Sequence, residues 1–159
     1  MRTAMLLGRA ALVLPLCLGA CTTTRIEQRP MSAMMAPALA VEQFLGAVNA
    51  QDFGRMSSLF GTKEGAIASR DPKENVEKQM FLLATILRHE DYQVEGEQVV
   101  PGRLAEATQL NVALTLNQKK VMVPFVVVRA KGEKWLVECI EIENVTHPSG
   151  TPSARCVNK

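Results

Sequence analysis

The sequence predicts an α+β fold in which N-terminal helices pack on a curved antiparallel sheet of about four strands. Three observations carry that expectation. Apolar residues recur at helical spacing between Pro37 and His89. From Tyr92 onward the period changes to two. Turn-forming stretches then divide the second half into strands, at Pro101-Gly102, Asn117-Gln-Lys-Lys120 and Lys131-Gly132.

The first helix is expected to open at Pro37, because proline suits the first helical turn. Val41, Phe44, Leu45 and Val48 follow at i, i+3, i+4 and i+7 and define one apolar face. Asp52 is placed to cap a second, short helix with Phe53, Met56, Leu59 and Phe60 inward and Gly61 at its end. Residues 61–70 are small and polar, which predicts a loop. Asp71-Pro72-Lys73-Glu74 reads as a third helix start, with Asp71 as cap, Pro72 at the first position and Glu74 reaching back. Val76, Met80, Leu83 and Leu87 form its stripe, widened by Phe81, Ala84 and Ile86, and the helix ends near His89.

Strands are expected from Tyr92 toward Val100, through Leu110, Val112, Leu114 and Leu116, over Val121–Arg129, and over Trp135–Glu143. Pro124 in the third suggests a bulge or an edge position. Lys119-Lys120 marks a hairpin tip. From Asn144 the chain reads as a tail containing Pro148, Gly150 and Pro152.

Ahead of the helices, Arg2 and Arg9 precede a short apolar run ending at Ala20, too short to span a bilayer, which takes about 20 apolar residues. Such a start describes an export signal over residues 1–20. At its end Leu18-Gly19-Ala20-Cys21 resembles the lipobox of bacterial lipoproteins. The resemblance implies cleavage before Cys21 and lipid attached to that cysteine. Thr22, not being Asp, then leans toward the outer membrane, with the domain facing the periplasm. Each buried methylene contributes about 0.8 kcal/mol, so two or three acyl chains anchor firmly. Residues 21–36 show no sustained period and read as a flexible tether.

Of 18 Lys and Arg residues, Arg2 and Arg9 lie in that signal, which leaves 16 against 16 Asp and Glu. A balanced chain without basic clusters argues against a nucleic-acid partner. Cys17 leaves with the signal and Cys21 is lipidated, so Cys139 and Cys156 remain as a pair that an exporting compartment can bridge. Such a bridge would close a loop of about 15 to 20 residues and stabilise by roughly 3 kcal/mol in the chain-entropy model.

Ala40 to Asp52 (AVEQFLGAVNAQD) and Arg129 to Val137 (RAKGEKWLV) resemble the opening helix and last hairpin of the NTF2-like (cystatin-like) superfamily. The resemblance spans roughly residues 38–144 and implies a cone between helices and sheet. Superfamily members use that cone as an enzyme pocket, a ligand site or a dimer surface, so the fold does not choose the function.

Residues able to carry chemistry are few. His89, Asp91 and Tyr92 adjoin at the junction of the third helix and first strand and could hold a base with an orienting acid. The competing reading has His89 complementing the helix dipole and Asp91 starting a turn. His147 precedes Pro148 in the tail, where a catalytic group would be poorly held. Met31, Met34 and Met35 lack a nearby His, and no spacing of metal ligands appears. Glu138, Glu141 and Glu143 read as a solvated or partner-facing edge, Trp135 as packing, and Asn144-Val-Thr as a chance sequon. The expectation is a lipid-anchored, non-enzymatic domain, without cofactor, that binds an envelope protein or a small apolar ligand. The alternatives are an isomerase or hydratase using His89, Asp91 and Tyr92, and a structural subunit of an envelope complex.

Overall fold

Helix α1 runs over Met31–Ala50 with Pro37 inside it, in a computed structural model that describes residues 31–146, with side chains from residue 37. The helix therefore starts six residues before the expected Pro37, and residues 31–36 are helical rather than tether. Ala and Met are strong helix formers, and Pro37 lies early enough for the missing N–H to interrupt only the first turns. Residues 1–30 and 147–159, which hold Cys21, His147 and Cys156, lie outside the described residues.

Val41, Phe44, Leu45 and Val48 are all fully buried, as their spacing requires. Asp52 caps α2 (Phe53–Leu59), its carboxylate accepting from Arg55 N at 2.9 Å. Gly61 does not end that helix. It opens β1 (Gly61–Thr62), which pairs with β2 (Gly65–Ala66) where a loop was expected. Glycine is needed there because a Cβ on Gly61 would lie 2.3 Å from the Gly65 carbonyl oxygen. A 3-10 turn at Ile67–Ser69 buries Ile67.

Helix α3 spans Lys73–Leu87, and its cap is Pro72, with no side-chain capping bond. The expected Asp71 cap and Glu74 capping box do not form, and Asn75 N and Val76 N instead donate to the Pro72 carbonyl. The buried stripe is Val76, Met80, Ala84 and Leu87. Phe81 and Leu82 are more than half exposed, so Phe81 does not widen the buried face. Its ring meets Phe53 edge-on at 6.1 Å.

Four strands follow as an antiparallel meander: β3 (Asp91–Val99), β4 (Ala107–Leu116), β5 (Lys119–Arg129) and β6 (Trp135–Ile140). The α+β class and four-stranded sheet agree with the expectation. Pro101 and Gly102 (φ 75°) occupy the centre of a turn closed by Arg103 N donating to the Val100 carbonyl at 3.1 Å, the type II pattern. Asn117 and Gln118 both take positive φ between Leu116 and its partner Lys119, as a type I′ hairpin requires. The tip is therefore Asn117-Gln118, and Lys119 and Lys120 open β5.

Pro124 sits in an inner strand, paired with Asn111 on β4. Its carbonyl accepts from Glu141 N, just past the end of β6. In a strand the N–H and C=O of one residue project to the same side, so the donor that proline lacks faces the point where β6 stops. The last strand accordingly ends at Ile140 instead of Glu143, and Glu143–Thr146 form α4.

Candidate binding site

Alternation along the strands gives the sheet two faces. Leu110, Val112, Leu114, Val123, Phe125, Val127 and Val137 join the buried residues of the three helices in one continuous cluster. Phe44 and Leu114 have no exposed surface, and Leu83 and Trp135 pack against the same cluster. The interior of the cone is thus occupied by side chains.

Asn49, near the end of α1, closes one end of this layer. Its amide oxygen accepts from His89 N at 3.2 Å, and its amide nitrogen donates to the His89 carbonyl at 3.0 Å. The same nitrogen lies 3.2 Å from His89 Nε2, while Nδ1 lies 2.9 Å from the Leu87 carbonyl. An acceptor carbonyl at Nδ1 and an amide donor at Nε2 are satisfied together by the neutral ring protonated on Nδ1. His89 is buried and meets Tyr92 edge-on at 5.5 Å. Asp91 is exposed and alternates with Tyr92 along β3, which directs their side chains to opposite faces. The structure brings His89 to Tyr92 but gives its ring nitrogens Leu87 and Asn49, not Asp91, as partners. Burial, then the carboxylates of Glu42 and Asp91, push the Tyr92 phenol above its ordinary value.

Beside His89 a cleft of about 520 Å³ opens between the end of α3, the β4–β5 hairpin and α4. Ile86, Leu116, Val121 and Val145 give it an apolar floor, and Arg88, Glu90 and Lys119 stand at its rim. Sequence reasoning placed Ile86, Leu116, Val121 and Lys119 on a helix stripe, in strands and at a hairpin tip but did not bring them together as a cleft, because Arg88 and Lys119 line one cleft only in the folded chain.

On the outer face, Val126 packs with Val100, Ala107 and Cys139, and Val128 with Leu136, Ala130 and Ala66. Arg103, from the β3–β4 connection, grips Glu138 with both guanidinium nitrogens at 2.5 and 3.2 Å. That hydrogen bond, working against partial desolvation, raises the Arg103 pKa. Glu138 is therefore paired and Glu141 is buried, a correction to the solvated edge expected of them. Cys139 is half-buried on this face and its thiol is not free, while Cys156 lies outside the described residues. Among the described residues no three His, Cys, Asp or Glu side chains gather as a metal site, and no helix is long and apolar enough to cross a membrane.

No family model matches the chain, and no curated protein does. Solved structures of related shape include an NTF2-like protein of unknown function from Silicibacter pomeroyi DSS-3, 10% identical, with TM-score 0.46. The match covers 67% of this chain and 91% of that one. A second NTF2-like protein of unknown function, from Cytophaga hutchinsonii ATCC 33406, is 16% identical over 62% of this chain and 84% of its own, with TM-score 0.37. A de novo designed protein with a curved β-sheet matches 64% of this chain and 93% of its own at 14% identity and TM-score 0.40.

Proposed function

We propose that the chain is an envelope lipoprotein, anchored through lipid on Cys21 after loss of residues 1–20, whose NTF2-like domain binds a partner or ligand instead of performing chemistry. The observation that carries the binding reading is the use made of His89. Both ring nitrogens are engaged in packing, Nε2 with Asn49 of α1 and Nδ1 with the Leu87 carbonyl at the end of α3, and a base whose acceptor nitrogen already takes a hydrogen bond is poorly placed to remove a proton. The cone is filled, so recognition falls to the surface. The anchor rests on Leu18-Gly19-Ala20-Cys21 after a short apolar run, and Thr22 directs the reading to the outer membrane, facing the periplasm. Cys139 bridged to Cys156 belongs to the same reading, since an exported protein can hold a disulfide.

A Cys21→Ala variant tests the anchor. It should stay uncleaved and gain no lipid mass in whole-protein mass spectrometry; normal processing and lipid on the variant would refute the anchor. Alkylation of the unreduced, denatured protein should leave Cys139 and Cys156 unlabelled, and labelling of both removes the bridge. For the domain, crosslinkers placed at the α3–hairpin cleft and on the outer sheet face, used in intact envelopes, should give a discrete product from at least one of them.

A further inference from the structure

We propose that the cleft between α3, the β4–β5 hairpin and α4 binds a single-chain amphiphile with a carboxylate head, a fatty acid anion. The inference rests on the binding reading above and names a ligand class for it.

Its volume of about 520 Å³ lies within the roughly 300–1,000 Å³ usual for small-molecule sites. The floor is continuous with the core: Leu116, Val121 and Val145 pack against the central cluster yet keep part of their surface open. Ile86 on α3 is half-buried in the same way. An acyl chain laid there would remove from water apolar surface that the fold itself leaves wet.

The rim supplies the head-group preference. Arg88 stands at the end of α3 and Lys119 at the start of β5, so two cations approach from the helix side and the hairpin side. Neither forms an ion pair with a described residue. Neighbouring Lys120 by contrast reaches Glu95. Glu90 shares the rim, which leaves a net charge of one positive unit and disfavours cationic ligands. A lone carboxylate between two monocations restores balance, and the apolar floor requires a chain behind it.

Calorimetric titration of the purified full-length chain with dodecanoate, butyrate and the neutral dodecyl maltoside tests both halves of the claim. Dodecanoate should bind saturably, one per chain, more weakly as salt rises. Butyrate should not bind, and the maltoside should bind at least about tenfold more weakly than dodecanoate. Arg88→Glu with Lys119→Glu should weaken dodecanoate by about tenfold or more, with an unchanged melting temperature because both side chains are exposed. Val121→Glu should abolish binding. Equal binding of the neutral amphiphile, or indifference to the double charge reversal, overturns the carboxylate; binding of butyrate as tight as dodecanoate overturns the apolar floor. Absence of dodecanoate binding in a folded chain that still gives an envelope crosslink at the cleft overturns this inference alone. Absence of any crosslink with dodecanoate binding intact strikes the protein-partner form of the broader reading and leaves this one standing.

Discussion

The two faces of the sheet are stabilised by different means. Toward the helices, Phe44, Met80, Leu114, Phe125 and their neighbours make one apolar cluster. Away from them, burial is divided between two small groups around Val126 and Val128, and a paired Arg103–Glu138 ties the β3–β4 connection across the outer side of β6. A helix presents a wide apolar stripe and can cover a sheet continuously. A short connection has too few apolar residues for that, and a charge-assisted, two-pronged contact compensates by fixing its position. The helix-facing side should therefore hold most of the stability, and the outer side should be sensitive to single polar contacts.

The strongest test of that asymmetry is Phe44→Ala. Phe44 is wholly buried and its ring lies 6.0 Å from that of Phe60, so truncation should cost about 3–5 kcal/mol in denaturant unfolding. A loss below about 1 kcal/mol would show that the cluster does not dominate. Asn49→Ala comes next. It removes one side chain that satisfies the His89 N–H, carbonyl and ring together, and should cost about 1–3 kcal/mol. Arg103→Ala should cost roughly 1–2 kcal/mol, since its side chain and that of Glu138 are each about one-fifth exposed and solvent weakens such a pair. Combined with Phe44→Ala it should be additive within about 0.5 kcal/mol if the two faces are independent. Coupling beyond that would mean that the faces share a load.

Much of this architecture is legible in the sequence because it is local. Asp52 caps the helix that begins next to it, and Pro101-Gly102 makes its turn within four residues. Alternation from Leu110 to Leu116 assigns a face to each residue before any partner is known. The features that escaped depend on distant pairs. Asn49 and His89 are 40 residues apart, and Arg103 and Glu138 are 35 apart. A polar residue at a helix end says nothing about what it will meet. Asp71 misled for a different reason: it carries the correct cap signature, but Pro72 adopts φ −57° and ψ 130° and takes the cap position itself. The cleft escaped because Ile86, Leu116 and Val121 read as ordinary core positions, and their incomplete burial is a property of the fold.

The smallest expected effect concerns Tyr92, which touches the helix-facing cluster from the edge strand β3. Burial raises its phenol pKa above 10.0, and Glu42 and Asp91 push the same way. In the unfolded chain the phenol ionises near 10. Below that pH both states hold the proton, and the contribution of the neutral, packed ring is fully present. As pH rises past 10 the unfolded state loses its proton first, so the folded state loses its advantage progressively until its own, higher pKa is passed. Stability should therefore decline above about pH 10, and Tyr92→Phe should remove that part of the decline while leaving the midpoint at neutral pH nearly unchanged. The chain has one tyrosine, so its ultraviolet phenolate band reports this group alone. A midpoint at or below 10.0 in the folded protein would place Tyr92 in open solvent and shrink the helix-facing cluster at its outermost strand.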